Sequence, residues 1–115
     1  MCGIAGMLSA KSLDTEVVRA MTLQIAHRGP DDSGLWADRD AGIALGHRRL
    51  SIVDLSASGH QPMISSDDRW VVTFNGEIYN HREIRGALES VGAVPQDGWR
   101  GHSDTEAMLA AFERW

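Results

Sequence analysis

A chain of 115 residues with a single cysteine cannot hold an internal disulfide, and no Cys-x-x-Cys or His-x-x-x-His spacing offers a metal its ligands. A lone thiol favours a reducing compartment, so the cytoplasm is the expected location. No apolar run approaches membrane-spanning length. The first apolar stretch, Ile4 to Leu8, has no basic residue ahead of it and is too short for a secretory signal. The 11 Lys and Arg are scattered and are outnumbered by 16 Asp and Glu, giving a net charge of −5. That leaves no electrostatic footprint for nucleic acid or an acidic membrane surface. Internal repeats and low-complexity tracts are absent as well. What remains is one domain, long enough to bury roughly two-thirds of its unfolded surface, with a small molecule as the expected substrate.

The one cysteine stands at position 2, in Met1-Cys2-Gly3-Ile4-Ala5-Gly6. Removing the initiator methionine would put a thiol and a free α-amine on one residue. With a pKa of about 7.7 to 8.0, roughly one α-amine in seven is neutral at pH 7, against roughly one lysine in 2,500. The terminus can therefore accept a proton where lysine rarely could, and a terminal amine is one way to activate a weak nucleophile. An isolated cysteine also serves as a small buried apolar residue. Position alone leaves both readings open.

Gly3 to Leu8 reads as a short buried strand. From Asp14 the pattern turns helical, with Val17, Met21 and Ile25 at four-residue spacing, Glu16 in the first turn and Gly29-Pro30 as the stop. Residues 30 to 34 read as a polar loop, and Leu35–Ala37 with Gly42–Arg49 as a hairpin about Asp38, Arg39 and Asp40. Ser51 to Met63 has no clean period and is expected to be irregular. Trp70, Val72 and Phe74 alternate with Val71 and Thr73, as in a central strand ending at Asn75-Gly76. Asn80 with Glu83, and Ser103 with Glu106, have capping-box spacing. The first pair opens a helix with stripe Ile84, Leu88 and Val91 before Gly92; the second opens one with Met108, Leu109 and Phe112. Strands interleaved with helices predict an α+β or layered α/β architecture.

Six motifs then fall in order: Cys2-Gly3-Ile4-Ala5-Gly6, His27-Arg28-Gly29-Pro30-Asp31, Arg49-Leu50-Ser51-Ile52-Val53-Asp54, Gln61-Pro62-Met63, Asn75-Gly76-Glu77-Ile78-Tyr79-Asn80 and Ser103-Asp104-Thr105-Glu106. Together they resemble the N-terminal glutaminase domain of glutamine-hydrolysing asparagine synthetases, which are class II glutamine amidotransferases. Pro30 and the third and fifth motifs favour that branch over glucosamine-phosphate synthase and amidophosphoribosyltransferase. The resemblance implies the α+β fold of the N-terminal nucleophile hydrolases, a four-layer αββα sandwich, with residues 1–115 as its front part, incomplete at the C-terminus. The missing strands imply exposed edges and marginal stability for this segment alone.

The resemblance also implies roles. Cys2 is the nucleophile, and the Asn75 amide with the Gly76 N–H forms the oxyanion hole; unaided, Asn-Gly reads as a hairpin turn. Arg49 would clamp the α-carboxylate of glutamine and Asp104 its α-ammonium. Glu77 and the backbone of Leu50, Ser51, Ile52 and Val53 would wall the pocket. His27 and Arg28 read as loop scaffold, His47, His60, His81 and His102 as structural, and Arg48 as solvated. L-glutamine is the implied substrate, with a C-terminal synthetase domain as the partner that receives ammonia. A homodimer is compatible with the pattern. No cofactor or metal is assigned to this segment; ATP and magnesium belong to the synthetase domain. Two alternatives share these motifs: an amidotransferase serving a sugar carboxylate or specialised metabolite, and a non-catalytic glutamine-binding or assembly module.

Overall fold

The short apolar run after Cys2 folds as strand β1 (Gly3–Leu8). In the computed structural model, which describes residues 1–52 and 55–115, the chain divides into two compact units. The first comprises Met1–Ser51, His60–Pro62 and Thr73–Gly76. Its sheet holds β1, β2 (Asp32–Asp38) and β3 (Ile43–Arg49) in the order β1-β3-β2, antiparallel throughout. The β2–β3 turn forms where expected, with Asp38 Oδ1 accepting from the Asp40 and Ala41 N–H groups at 3.0 and 2.9 Å. β2 starts at Asp32, inside the stretch read as loop, because Asp32 and Ser33 pair with Arg49 and Arg48.

Helix α1 (Thr15–Gln24) opens on Asp14, whose Oδ1 accepts the Glu16 N–H at 2.9 Å. It packs on one face of the sheet through Val18 and Thr22, both buried, rather than through Val17 and Met21, which are exposed. The reason lies in β3. Gly46 leaves a gap into which Thr22 and Val18 descend; a Cβ there would collide with Thr22 Oγ1 and stand 3.3 Å from Val18 Cγ1. Thr22 satisfies its own hydroxyl on the Val18 carbonyl at 2.7 Å, so the close approach leaves no buried orphan. Burying Val18 fully contributes about 1.5 to 3 kcal/mol. The α-helix ends at Gln24, and a 3-10 turn over Ala26–Arg28 leads to Gly29.

The second unit comprises Ile52–Gly59, Met63–Val72 and Glu77–Trp115. The expected strand from Trp70 to Phe74 shrinks to β5 (Val71–Val72), which among the described residues pairs only with β4 (Met63–Ile64). It is not central. Trp70 meets Phe112 at 6.0 Å between ring centroids, and beyond Val72 the backbone bonds to side chains instead of a neighbouring strand. The described residues between Ser51 and Met63 are irregular as expected, apart from a 3-10 turn at Ala57–Gly59.

Helices α2 (His81–Ser90) and α3 (Asp104–Arg114) pack together, with Leu88 and Leu109 buried. Val91 and Phe112, assigned to the buried stripes, are exposed. The α2 stop follows expectation: Gly92 takes a left-handed φ of 68°, and the Gly92 and Ala93 N–H groups bond to Glu89 and Leu88 carbonyls at 3.1 and 2.8 Å. Neither capping box closes. Asn80 makes no side-chain cap. Ser103 accepts from Thr105 N–H at 3.1 Å, whereas Glu106 turns away and its buried carboxylate accepts the Arg100 and Gly101 N–H groups at 2.7 and 3.1 Å. A buried carboxylate needs donors, and the turn before α3 supplies them. Among the described residues no helix is long and apolar enough to cross a membrane.

Candidate active site

The sheet register decides which side chains meet. Ile4 pairs with His47 and Gly3 with Arg48, and Cys2 stands one residue before this paired run. On the other side of β3, Arg49 pairs with Asp32 and His47 with Gly34. Directly opposed residues point to the same side of a sheet and alternate residues to opposite sides. α1 occupies the face carrying Gly46, so Arg49, Asp32 and His47 share the face away from it. Gly34 lets the segment from His60 to Pro62 lie close over this face, since a Cβ there would collide with the Gln61 carbonyl.

The half-buried Cys2 Sγ accepts the Leu50 N–H at 3.3 Å and lies 3.6 Å from the Leu50 carbonyl oxygen. The neighbours of Leu50 are held by Asp31. The Asp31 N–H donates to the Arg49 carbonyl at 3.0 Å, and Asp31 Oδ2 accepts the Ser51 N–H at 2.8 Å. Arg28 Nε donates to the Cys2 carbonyl at 3.1 Å. Arg48, read as solvated, instead donates Nε to the Gly29 carbonyl at 2.9 Å, tying β3 to the 3-10 turn. The Leu50 and Ser51 amides, expected as pocket wall, are thus occupied by Cys2 and Asp31.

Arg49 is 8% exposed. Asp32 takes His60 Nδ1 at 2.7 Å. Partial burial pushes its carboxyl up, but the bonds from His60 and the Ser33 amide, with the charges of His60 and Arg49, hold it below 3.8 overall. His47 is fully buried. Burial is the dominant influence and pulls its pKa below 6.5 despite the bond to Phe74. Its Nε2 lies 3.1 Å from the Phe74 carbonyl; a carbonyl only accepts, so Nε2 carries the proton. Among the described residues, His47 Nδ1 is buried without a partner, as is Thr73 Oγ1.

Phe74 leads to Asn75 and Gly76, both exposed and both in the first unit with Cys2 and Arg49. In the second unit, Glu77 and Ile52 are exposed. Asp104, expected to leave its carboxylate open to ligand, is 7% exposed. Oδ2 accepts the Ile78 N–H and Oδ1 the Thr105 N–H, each at 2.8 Å. A carboxylate has about four acceptor positions, so two backbone bonds leave capacity. Val53 and Asp54 lie outside the described residues. No cluster of three His, Cys, Asp or Glu able to hold a metal occurs among the described residues.

A family model described as a glutamine amidotransferase domain matches residues 1–115. The chain belongs to the glutamine amidotransferase domain family. Relatives include glutamine-hydrolysing asparagine synthetases of Bacillus subtilis (strain 168), 38% identical over 120 residues, and Arabidopsis thaliana, 39% over 119 residues. Each alignment covers all of this chain. Another, from Asparagus officinalis, is 41% identical over 117 residues and covers 98% of it. The chain spans 18 to 19% of the length of these three curated relatives.

Within this amidotransferase domain, sequence reasoning missed the work of Asp31, Gln61 and Glu106. Their signal was present: each lies in one of the six motifs, but a carboxylate or amide that serves backbone groups leaves no spacing rule of its own.

Proposed function

We propose that this chain is the glutaminase part of a glutamine-hydrolysing asparagine synthetase, with Cys2 as its nucleophile. The observation that carries the reading is the thiol of Cys2, bonded to Leu50, the residue next to buried Arg49. The names of the relatives support the reaction, and the family match supports the four-layer αββα sandwich as the fold of the whole domain.

The chemistry follows from the groups present. After removal of Met1, the Cys2 α-amine, acting through a water, takes the thiol proton, and the Leu50 N–H stays as a donor to the sulfur. The thiolate attacks the side-chain amide carbon of L-glutamine. The oxyanion takes hydrogen bonds from the Asn75 side-chain amide and the Gly76 N–H, the kind of donors whose loss costs about 2.7 to 4 kcal/mol each. The tetrahedral intermediate collapses and the protonated amine returns its proton to the leaving nitrogen. Ammonia departs and a glutamyl thioester stays on Cys2. Water, deprotonated by the same amine, then releases glutamate and restores the thiol.

Arg49 is assigned the α-carboxylate because a rigid guanidinium fork matches it with two parallel bonds. The α-ammonium is assigned to Asp104, and pocket contacts to Leu50, Ser51, Ile52, Val53 and Glu77, on the family pattern. A C-terminal synthetase domain, binding ATP and magnesium, is the proposed destination of the ammonia, and the cytoplasm the proposed compartment. ATP and magnesium are given no role at residues 1–115.

The test is release of glutamate and ammonia from L-glutamine. Equimolar products from the protein lacking Met1 and none from Cys2→Ala are expected; equal release by both would refute Cys2 as nucleophile.

A further inference from the structure

Resting on the glutaminase reading, we propose that His47 is a positioning residue for that reaction: with Gln61 it fixes the peptide of Phe74, and through it the donors of Asn75 and Gly76. Three observations converge on Phe74. Its carbonyl is 3.1 Å from His47 Nε2. Its N–H donates to Gln61 Oε1 at 2.6 Å. Its ring lies against Gly76, where a Cβ would stand 2.6 Å from Phe74 Cζ.

Among the described residues, no strand partner holds this segment beyond Val72, because β5 ends there. Side chains take over the work of the strand ladder. Both polar groups of the Phe74 backbone go to two residues of the first unit, and the ring sets the height of Gly76. Asn75 and Gly76 are themselves exposed, so their orientation depends on what anchors the residue before them.

His47 suits the task because of where it sits. It is fully buried in the central strand, paired on one side with Ile4 and on the other with Gly34. It belongs to the sheet that also carries Cys2 at the end of β1. The bond to Phe74 therefore references the oxyanion donors to the strand frame that holds the nucleophile. Asp32, Arg49 and His60 are the charged or titratable groups around it. The proton on Nε2 makes the bond to the Phe74 carbonyl.

The predicted signature separates donor alignment from nucleophile reactivity. Alkylation of Cys2 by iodoacetamide proceeds without an oxyanion, whereas glutamine hydrolysis needs one. In the full chain, His47→Phe should lower kcat for glutamine about 100-fold, the scale of a misplacement of about 1 Å. KM and the iodoacetamide rate at Cys2 should change less than threefold. His47→Gln, whose amide N–H can replace Nε2–H, should recover at least tenfold of the lost kcat.

Unchanged kcat in His47→Phe overturns the role. So does a parallel loss of kcat and of Cys2 alkylation, which would make His47 a general structural residue. Failure of His47→Gln to recover activity beyond His47→Phe, with both folded by circular dichroism, also overturns it. No glutamine turnover in the unsubstituted protein lacking Met1 overturns the glutaminase reading itself, and this role with it.

Discussion

The sulfur of Cys2 is held by both polar backbone groups of Leu50, 3.3 Å from its nitrogen and 3.6 Å from its carbonyl oxygen. Cys2 precedes β1 and Leu50 follows β3, so the antiparallel register brings them together across 48 positions of sequence. The two contacts suit two protonation states. A thiol can donate to the carbonyl, and a thiolate can only accept from the N–H. Asp31 holds the backbone on either side of Leu50, so the cradle of the sulfur is fixed by the chain's own hydrogen bonds.

Replacing Asn75 with alanine removes one donor of the proposed oxyanion hole. We expect kcat for glutamine to fall about 100- to 1,000-fold with KM changed little. Steady-state assay of ammonia release checks this, and a rise in KM at constant kcat would count against it.

Arg49→Lys keeps the charge and removes the fork. Because a lysine offers a point charge where a carboxylate expects two parallel bonds, KM for glutamine should rise at least about tenfold, the equivalent of about 1.4 kcal/mol. Isothermal titration with the Cys2→Ala background, where no turnover occurs, reads the same loss as affinity. Unchanged affinity would remove Arg49 from the substrate clamp.

Gly46→Ala tests the seam between α1 and the sheet. The added methyl meets Thr22 Oγ1 and Val18 in a closed contact, and overpacking of this kind costs about 1 to 3 kcal/mol. A lower midpoint in urea with an unchanged slope is expected. Thr22→Ala should recover part of the loss in the double variant.

His47 also makes a pH prediction. Its folded pKa lies below 6.5, chiefly through burial, so the folded protein resists protonation more than the unfolded chain does. The stabilisation linked to neutral His47 is fully present above about pH 6.5 and is lost as pH falls through the lowered folded value. Asp32 acts in a lower window, since its own folded pKa lies below 3.8. Urea midpoints at pH 7.5 and 5.5 should therefore fall further for the parent than for His47→Gln. Equal falls would show that His47 does not carry this linkage.

Much of this was legible in sequence because it rests on local rules. β1 follows from an apolar run between glycines, although it is not the buried strand expected, since Ile4 and Leu8 are exposed; the start of α1 follows from the pattern that turns helical at Asp14, and the α2 stop from Gly92. The central-strand reading of residues 70 to 74 failed because alternation records burial on two faces and not the number of strand neighbours. The α1 stripe was misplaced by one residue because Gly46, far away in sequence, makes room for Thr22. Cys2, Asn75, Gly76 and Arg49 were assigned through the motifs, and all fall within one unit. Asp104 was assigned in the same way, but its burial depends on the Ile78 amide, which helix-start rules do not see. The scaffolding by Asp31, His47 and Gln61 depends on contacts between segments up to 27 positions apart, and no local pattern encodes those.

The claim that Cys2 is an N-terminal nucleophile meets its most direct test in the intact mass of the protein after exposure to a diazo analogue of glutamine. The expected result is loss of Met1 and a single adduct, mapped by fragmentation to Cys2, with no adduct on Cys2→Ala. An unmodified Cys2 with Met1 still in place would contradict it.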